Sequence, residues 1–446
     1  MDSFSEVALD IGSTSIKCAG LNSSGELELI AQQPSPKLKH EEDKVCGDVK
    51  AYIRVCIDLL DKAKARSVKG CSLAITSQRS TFVVWNKQGD VLSPLISWQD
   101  RFYGRDALLG LDQIEIQNVS GLVPSPYYLG PKLKGWMKQA KTPLKDMLVG
   151  TLDTYLIWVL SQRKYFVMDR SMAARSALLD LATGEWSSRL LEMFNVDKLC
   201  LPSLVRSRGL EIDLEEYWVL RSLSADQSAS LYGHDPKPGD ICVNFGTGVF
   251  VMKVEKKQNE RHMSYQNALF YEDAQRHYFC EGAVNGLSRA LQQHQILLDS
   301  TELIENDTYC VVDSSGLGAP YWRSEVEFQC TLENFDRKSH DLKRSVVLEG
   351  LIFRVYEIIS DLADQNSRIL VSGGASRDKI LIKTLALLCE QRVFSCDVHD
   401  SSLRGALKFL NPDLNELVLR KVKKTDNTYL EGKYKIWKKW MQTCLK

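Results

Sequence analysis

An α/β protein built from two similar domains is what this sequence predicts, on three observations. The first is length: 446 residues exceed what one hydrophobic core serves, and they suit two domains of roughly 200 residues each. The second is the stretch Val7-Ala-Leu-Asp-Ile-Gly-Ser-Thr-Ser-Ile-Lys-Cys-Ala-Gly-Leu21, an apolar strand that runs into Asp10, turns at Gly12 to Ser15 and returns as a second strand. The third is Ile241-Cys-Val-Asn-Phe-Gly-Thr-Gly-Val-Phe-Val-Met252, which repeats the design half a chain later.

Two such hairpins suggest an actin-like arrangement, in which each domain offers one phosphate-binding turn to a single nucleotide across a cleft. The chemistry of the turns fits that use. Gly12 permits a tight backbone whose amides face an anion. Ser13, Thr14 and Ser15 add hydroxyls, Lys17 adds a charge, and Asp10 is placed to hold the hydration shell of a Mg²⁺ ion.

Between the hairpins, Leu27 to Gln32 reads as a third strand and Pro34 to Lys44, polar and proline-containing, as a loop or lid. Val49 to Ala65 carries apolar residues at helical spacing, and Cys71 to Ile75 and Phe82 to Trp85 read as strands. Arg79 and Trp98 stand at strand ends, where ligand groups collect in α/β proteins; a surface salt bridge and core packing are the competing uses. A helix is expected from Lys132 to Gln139, and another opens at Gly150-Thr-Leu-Asp-Thr-Tyr155 with Asp153 or Thr154 as its cap. Asp226 and Gln227 begin a helix of small residues after the strand-like Trp218 to Leu220, a position where capping is the commonest use of Asp.

Lys237-Pro-Gly-Asp240 marks a boundary, dividing the chain into domains 1–235 and 236–446. In the second, Cys280 to Gly286 leads into a helix carrying Gln292, and Leu342 to Asp364 forms a long helix. Arg368-Ile-Leu-Val-Ser-Gly-Gly-Ala375 is a strand ending in Gly373 and Gly374, whose bare backbone leaves room for a flat ligand. A further helix begins near Ser401, where Gly405 permits close packing. The basic tail Lys433 to Met441 reads as a terminal helix with a solvated basic face, in preference to a membrane-surface helix.

Composition narrows the function. Lys plus Arg and Asp plus Glu are 57 each, so no bulk field favours nucleic acid or an anionic membrane. No apolar run approaches the length of about 18 residues that spans a bilayer, and residues 1–6 lack the regions of a secretory signal, so a cytoplasmic protein is expected. Twelve cysteines without a CxxC pair read as free thiols.

Ten landmarks occur in one order: ALDIGSTSIK, TSQRSTFVVWN, ISWQDR, SPYYLGPKLKGW, GTLDTYLIW, ADQSASLYG, NFGTGVF, EGAV, GLGAPYW and SGGASRD. The set, spanning about residues 6–410, resembles the FGGY carbohydrate kinases and is most similar to their glycerol kinases. The resemblance implies two actin-like (ribonuclease-H-like) domains, with ATP and a small polyol or sugar meeting between them. It implies that Asp226 is the catalytic base and that Asp10 serves Mg²⁺ through water. Arg79, Ser80, Trp98, Tyr127, Asp226, Gln227 and Phe250 fall on acceptor positions. Ser13, Thr14, Ser15, Lys17 and Thr247 fall on nucleotide-phosphate positions, with Gln292, Gly373, Gly374 and Asp378 on the nucleoside side.

Departures from the family pattern qualify this. Ser80 stands where glycerol kinases carry a glutamate, Ser288 replaces a glycine, Asp378 an asparagine, and Arg323 an acidic residue. The expected reaction is glycerol to sn-glycerol 3-phosphate. Another polyol or a ketose, and a non-catalytic actin-like nucleotide-binding regulator, are the alternatives. A homodimer or larger homo-oligomer stays open.

Overall fold

The computed structural model describes residues 3–140, 146–256, 262–398, 400–424 and 428–445. The chain divides into two compact units: Met1–Asp235 with Asn267–Tyr278 and Asp400–Glu416, and Pro236–Gln266 with Phe279–His399 and Leu417–Lys446. A single cut after residue 235 does not reproduce this division, because two later segments pack with the first unit. Asn267 donates from its backbone to Gly121 (2.8 Å), and Glu272 accepts from Arg170 (2.9 Å). The helix Ser401–Leu410 lays Leu403, Ala406 and Leu407 on Ala8, Ala19 and Ala74 of the first sheet.

The central sheet of the first unit is ordered Leu27–Pro34, Ser15–Leu21, Phe4–Ile11, Ser67–Ser77, Trp218–Ala225, Arg208–Leu214. The first hairpin is antiparallel, with Asp10 opposite Lys17, and Ser67–Ser77 runs parallel beside it. Side chains alternate across the pleat, so Val7, Leu9 and Ile11 enter one core with the helix Val49–Lys64, while Ala8 faces Ser401–Leu410. Small residues on that second face let the helix lie close to the strands.

The second sheet has seven strands, Gln266–Glu272, Arg276–Val284, Val249–Val254, Ile241–Phe245, Arg368–Ser372, Arg392–Cys396, Leu419–Lys421, and its last six repeat the first sheet's order. Its hairpin is antiparallel, and Arg368–Ser372 and then Arg392–Cys396 run parallel to the first hairpin strand. The two hairpins therefore occupy the same place in the same sheet plan. The long helix His340–Leu362 buries Val347, Leu351, Val355 and Ile358 against this sheet.

Several elements differ from expectation. Residues 34–44 are not all loop: Lys39–Glu41 and Lys44–Gly47 pair as an edge hairpin whose outer strand is wholly exposed, which is why its composition is polar. The helix expected from Lys132 starts at Leu129. The tail is a helix, Thr428–Cys444, but Lys433 is not solvated. It is buried with Leu430, Trp437 and Met441 and pairs with Glu349 (2.6 Å). Among the described residues no helix is long and apolar enough to cross a membrane.

The N-cap of the helix Leu152–Leu160 is Thr151, with no side-chain capping bond, so neither Asp153 nor Thr154 serves as the cap. Asp153 is fully buried, and burial pushes its pKa up to about 6, with the nearby Asp169 adding to the rise and Thr151 opposing it. A carboxyl raised in the fold contributes stability below its unfolded pKa and loses it as pH rises through the folded value. Asp153→Asn removes that loss. The variant should match wild type near pH 4 and exceed it above pH 7 by roughly 2–3 kcal/mol, the two-unit shift converted. Denaturant midpoints at the two pH values check this, and parallel pH dependences would refute it.

Candidate active site

In the first unit, Arg79 and Asp226 lie just beyond the ends of two neighbouring parallel strands, whose last paired residues are Ser77 and Ala225. Parallel pairing brings them together: Arg79 Nε is 4.0 Å from Asp226 Oδ1. Asp226 opens the short helix Asp226–Tyr232 and accepts from the Gln227 amide (2.7 Å). Gln227 Oε1 is buried with no hydrogen-bond partner among the described residues.

Asp10 sits one strand further along at the same level. Lys17, Asp10, Thr76 and Ser224 form a row across neighbouring strands. Asp10 is buried; its Oδ2 accepts from Ser402 Oγ (2.6 Å), while Oδ1 has no protein partner among the described residues. The hydroxyls of Thr76 and Ser224 are likewise buried and unpartnered. Burial pushes the Asp10 pKa up to about 7, the Asp226 and Asp400 charges raise it further, and Ser402 and Lys17 oppose them. Lys17 pairs with Asp400. At the hairpin turn, a Cβ on Gly12 would lie 2.7 Å from the Ser15 carbonyl, so the turn depends on glycine. Ser13 and Thr14 are exposed there and Ser15 is half-buried.

Ser80 adopts a left-handed φ of 60° and turns its hydroxyl onto the Arg175 carbonyl (3.2 Å). Trp98 is 40% exposed, and its amide donates to Thr81 Oγ1 (3.0 Å), which joins its loop to the one carrying Arg79. Tyr127 is half-buried under the Arg101 guanidinium, 5.2 Å above its ring.

In the second unit, Thr247 is exposed at the hairpin turn, its carbonyl accepting from Ser288 at the start of the helix Leu287–Gln293 (2.9 Å). Phe250 is half-buried on the returning strand, and Gln292 is exposed on the helix. Gly373 has φ 96°, and a Cβ there would lie 2.5 Å from the Phe245 carbonyl. A Cβ at Gly374 would meet nothing within 4 Å, so its backbone is open. Thr247, Gly373 and Gly374 thus gather around one end of the second hairpin.

The FGGY family of carbohydrate kinases matches this chain twice, its N-terminal domain over residues 6–214 and its C-terminal domain over residues 241–410. The chain belongs to this family. It is a phosphotransferase with an alcohol group as acceptor. This FGGY kinase is 28% identical to a glycerol kinase from a Nostoc species, with 90% of the chain and 87% of that protein covered. It is 26% identical to one from Dichelobacter nodosus, covering 90% and 88%. Among solved structures it is similar to Plasmodium falciparum glycerol kinase with ADP (TM-score 0.81, 19% identity, 100% and 99% covered). It is similar also to a xylulose kinase from Lactobacillus acidophilus (TM-score 0.83, 17% identity, 98% of both chains). These neighbours share its α/β fold of two actin-like (ribonuclease-H-like) domains.

One FGGY-pattern position is committed elsewhere. Asp378, expected on the nucleoside side, is buried; its Oδ1 caps the helix Lys379–Leu388 through the amides of Ile380 and Leu381, and its Oδ2 accepts from Arg344 (2.6 Å). Both oxygens are used within the unit, so a structural role replaces the expected contact. Conversely, Asp400 and Ser402 were not anticipated. The signal available was Gly405: a Cβ there would lie 1.7 Å from the Ala229 carbonyl, so the helix carrying Ser402 packs directly on the helix that Asp226 opens.

Proposed function

We propose that this kinase phosphorylates a small polyol, glycerol to sn-glycerol 3-phosphate being the first reaction to test, with Asp226 as general base. The observation that supports it most is the Arg79–Asp226 pair, a guanidinium and a carboxylate 4.0 Å apart at adjacent strand ends. Arg79 supplies fixed donors suited to neighbouring hydroxyls, and Asp226 accepts the proton of the attacking hydroxyl. Gln227 offers a buried oxygen, unpartnered among the described residues, to a second hydroxyl, and the faces of Trp98 and Tyr127 suit the carbon chain, while the ring of Phe250 in the second unit is of a kind that suits one as well.

ATP and Mg²⁺ complete the reading, since the donor groups present fit both. The partnerless Asp10 Oδ1, flanked by the hydroxyls of Thr76, Ser224 and Ser402, suits a hydrated cation. In the first unit exposed Ser13 and Thr14, with Ser15 and Lys17 beside the turn, suit an anionic phosphate; within the second unit by itself, exposed Thr247 with Gly373 and the open Gly374 suits a phosphate as well, and Gln292 suits a nucleoside. ATP supplies the transferable phosphoryl group, and the metal ion neutralises its oxygens when bound. A cytoplasmic setting goes with that donor.

ADP release measured across glycerol, erythritol, xylulose and dihydroxyacetone tests the reading; an absence of acceptor-dependent turnover would end it. A second reading, another polyol or a ketose as the natural acceptor, is favoured by Ser80, which offers no carboxylate and directs its hydroxyl to Arg175. Ser80→Glu separates the two. If glycerol is the natural acceptor, the added charged acceptor should lower the glycerol KM at least tenfold, the lower end of about 1.5–3 kcal/mol for a hydrogen bond to a charge. An unchanged or higher KM alongside good turnover of a ketose selects the second reading.

A further inference from the structure

Lys132 carries one of the most deeply buried charges in the first unit, and neither the reaction nor the sequence motifs assign it a role. It lies in the first turn of the helix Leu129–Gln139 and is 0% exposed. Its ammonium donates 2.7 Å bonds to the Ser80 carbonyl and to the Ser97 carbonyl. It also lies 5.7 Å above the Phe82 ring, so its remaining direction meets an aromatic face. Asp100 faces its charge while accepting from the amides of Val45 and Tyr103.

The two carbonyls belong to different loops. One follows Arg79 directly and the other directly precedes Trp98. Two carbonyl oxygens converging in a buried space repel and lack donors unless a group with at least two N–H or O–H donors sits between them. An ammonium with several donors on a long stem satisfies both at once.

We propose that Lys132 is a positioning residue that sets the spacing between Arg79 and Trp98, and so the fit of the acceptor alcohol. The inference rests on the reading that those two side chains hold the acceptor. Lys132 does not touch the reacting atoms; it acts through the two loop backbones. Because Ser80 has a left-handed backbone, its carbonyl direction is set by the turn, and the lysine bond fixes that turn against the neighbouring loop.

The test compares wild type, Lys132→Met and Lys132→Arg in the full-length protein. Lys132→Met should raise the acceptor KM at least tenfold while the ATP KM stays within twofold. Hydrogen–deuterium exchange without ligand should rise at residues 79–81 and 97–99 and stay level across the hairpin 4–21. A purely structural role would instead raise exchange throughout the unit and shift both KM values together, and that result overturns the proposal, as does an unchanged acceptor KM. Should the methionine variant fail to fold, Lys132→Arg decides. It keeps the charge, but its wider head pushes the carbonyls apart, so the acceptor KM should rise several-fold with kcat held. An unchanged acceptor KM in that variant overturns the proposal. A wild type inert toward every acceptor defeats the kinase reading and this inference with it, whereas an active wild type with unaffected variants defeats this inference alone.

Discussion

Asp226→Ala should lower kcat by at least about a hundredfold, within the 10² to 10⁴ range of a general base, while ATP affinity stays within twofold of wild type. The separation follows from where the residue sits. Asp226 belongs to the first unit, at the end of Trp218–Ala225, where it meets the Gln227 amide and the Arg79 guanidinium, and it lies outside the glycine turns assigned to phosphate. Its carboxylate is only part-buried and stands 4.0 Å from Arg79 Nε, so solvent and an incoming hydroxyl can reach it. Asp226→Asn is the companion variant. It keeps the size of the side chain and an acceptor for the Gln227 amide but cannot take a proton, so it should fall with the alanine variant. ADP release gives the rate and calorimetric titration the nucleotide affinity. Retention of more than about a tenth of the wild-type rate by both variants would remove Asp226 from the base role.

The hairpins were legible because their signal is local. An apolar run, a glycine turn and a second apolar run fix two paired strands within about fifteen residues, and burial of both faces leaves little choice of register. The strand ends at Arg79 and Asp226 were legible for the same reason. The helix Ser401–Leu410 was not. Its apolar stripe, Leu403, Ala406 and Leu407, fits a sheet face in either unit, and chain order assigned it to the second, whereas it packs on Ala8, Ala19 and Ala74 of the first. Only long-range packing reveals that Ser402 meets a carboxylate 392 residues away. Lys132 was hidden by its residue type, because a lysine in a helix reads as surface. Asp378 was misplaced by pattern matching: an Asp before an apolar run is also an N-cap, and with Arg344 buried beside it the cap prevails.

Asp10→Asn should move two quantities in opposite directions, raising the thermal stability of the ligand-free protein at pH 8 while lowering kcat at least a hundredfold. The first half comes from burial. The Asp10 carboxylate is held almost out of water with one oxygen partnerless, and its pKa stands at about 7 where 3.8 is usual. That rise corresponds to about 4 kcal/mol of unfavourable environment for the charged form, an upper figure given relaxation on mutation. An amide of the same shape can keep the Ser402 Oγ bond through its oxygen and carries no charge to desolvate, so Tm should rise by at least a few degrees. The second half comes from what the charge is kept for. Lys17, across the hairpin from Asp10, pairs with Asp400 and only partly offsets the Asp10 charge, and Asp10 Oδ1 has no hydrogen-bond partner among the described residues. An acid held at such cost beside the buried hydroxyls of Thr76 and Ser224 suits a divalent ion, so Mn²⁺ affinity, followed by electron paramagnetic resonance, should fall more than tenfold in the variant. A fall in Tm would mean that Lys17 and Ser402 already compensate the charge and that Asp10 serves the fold. Unchanged Mn²⁺ binding with a raised Tm would leave the acid without the metal role assigned to it.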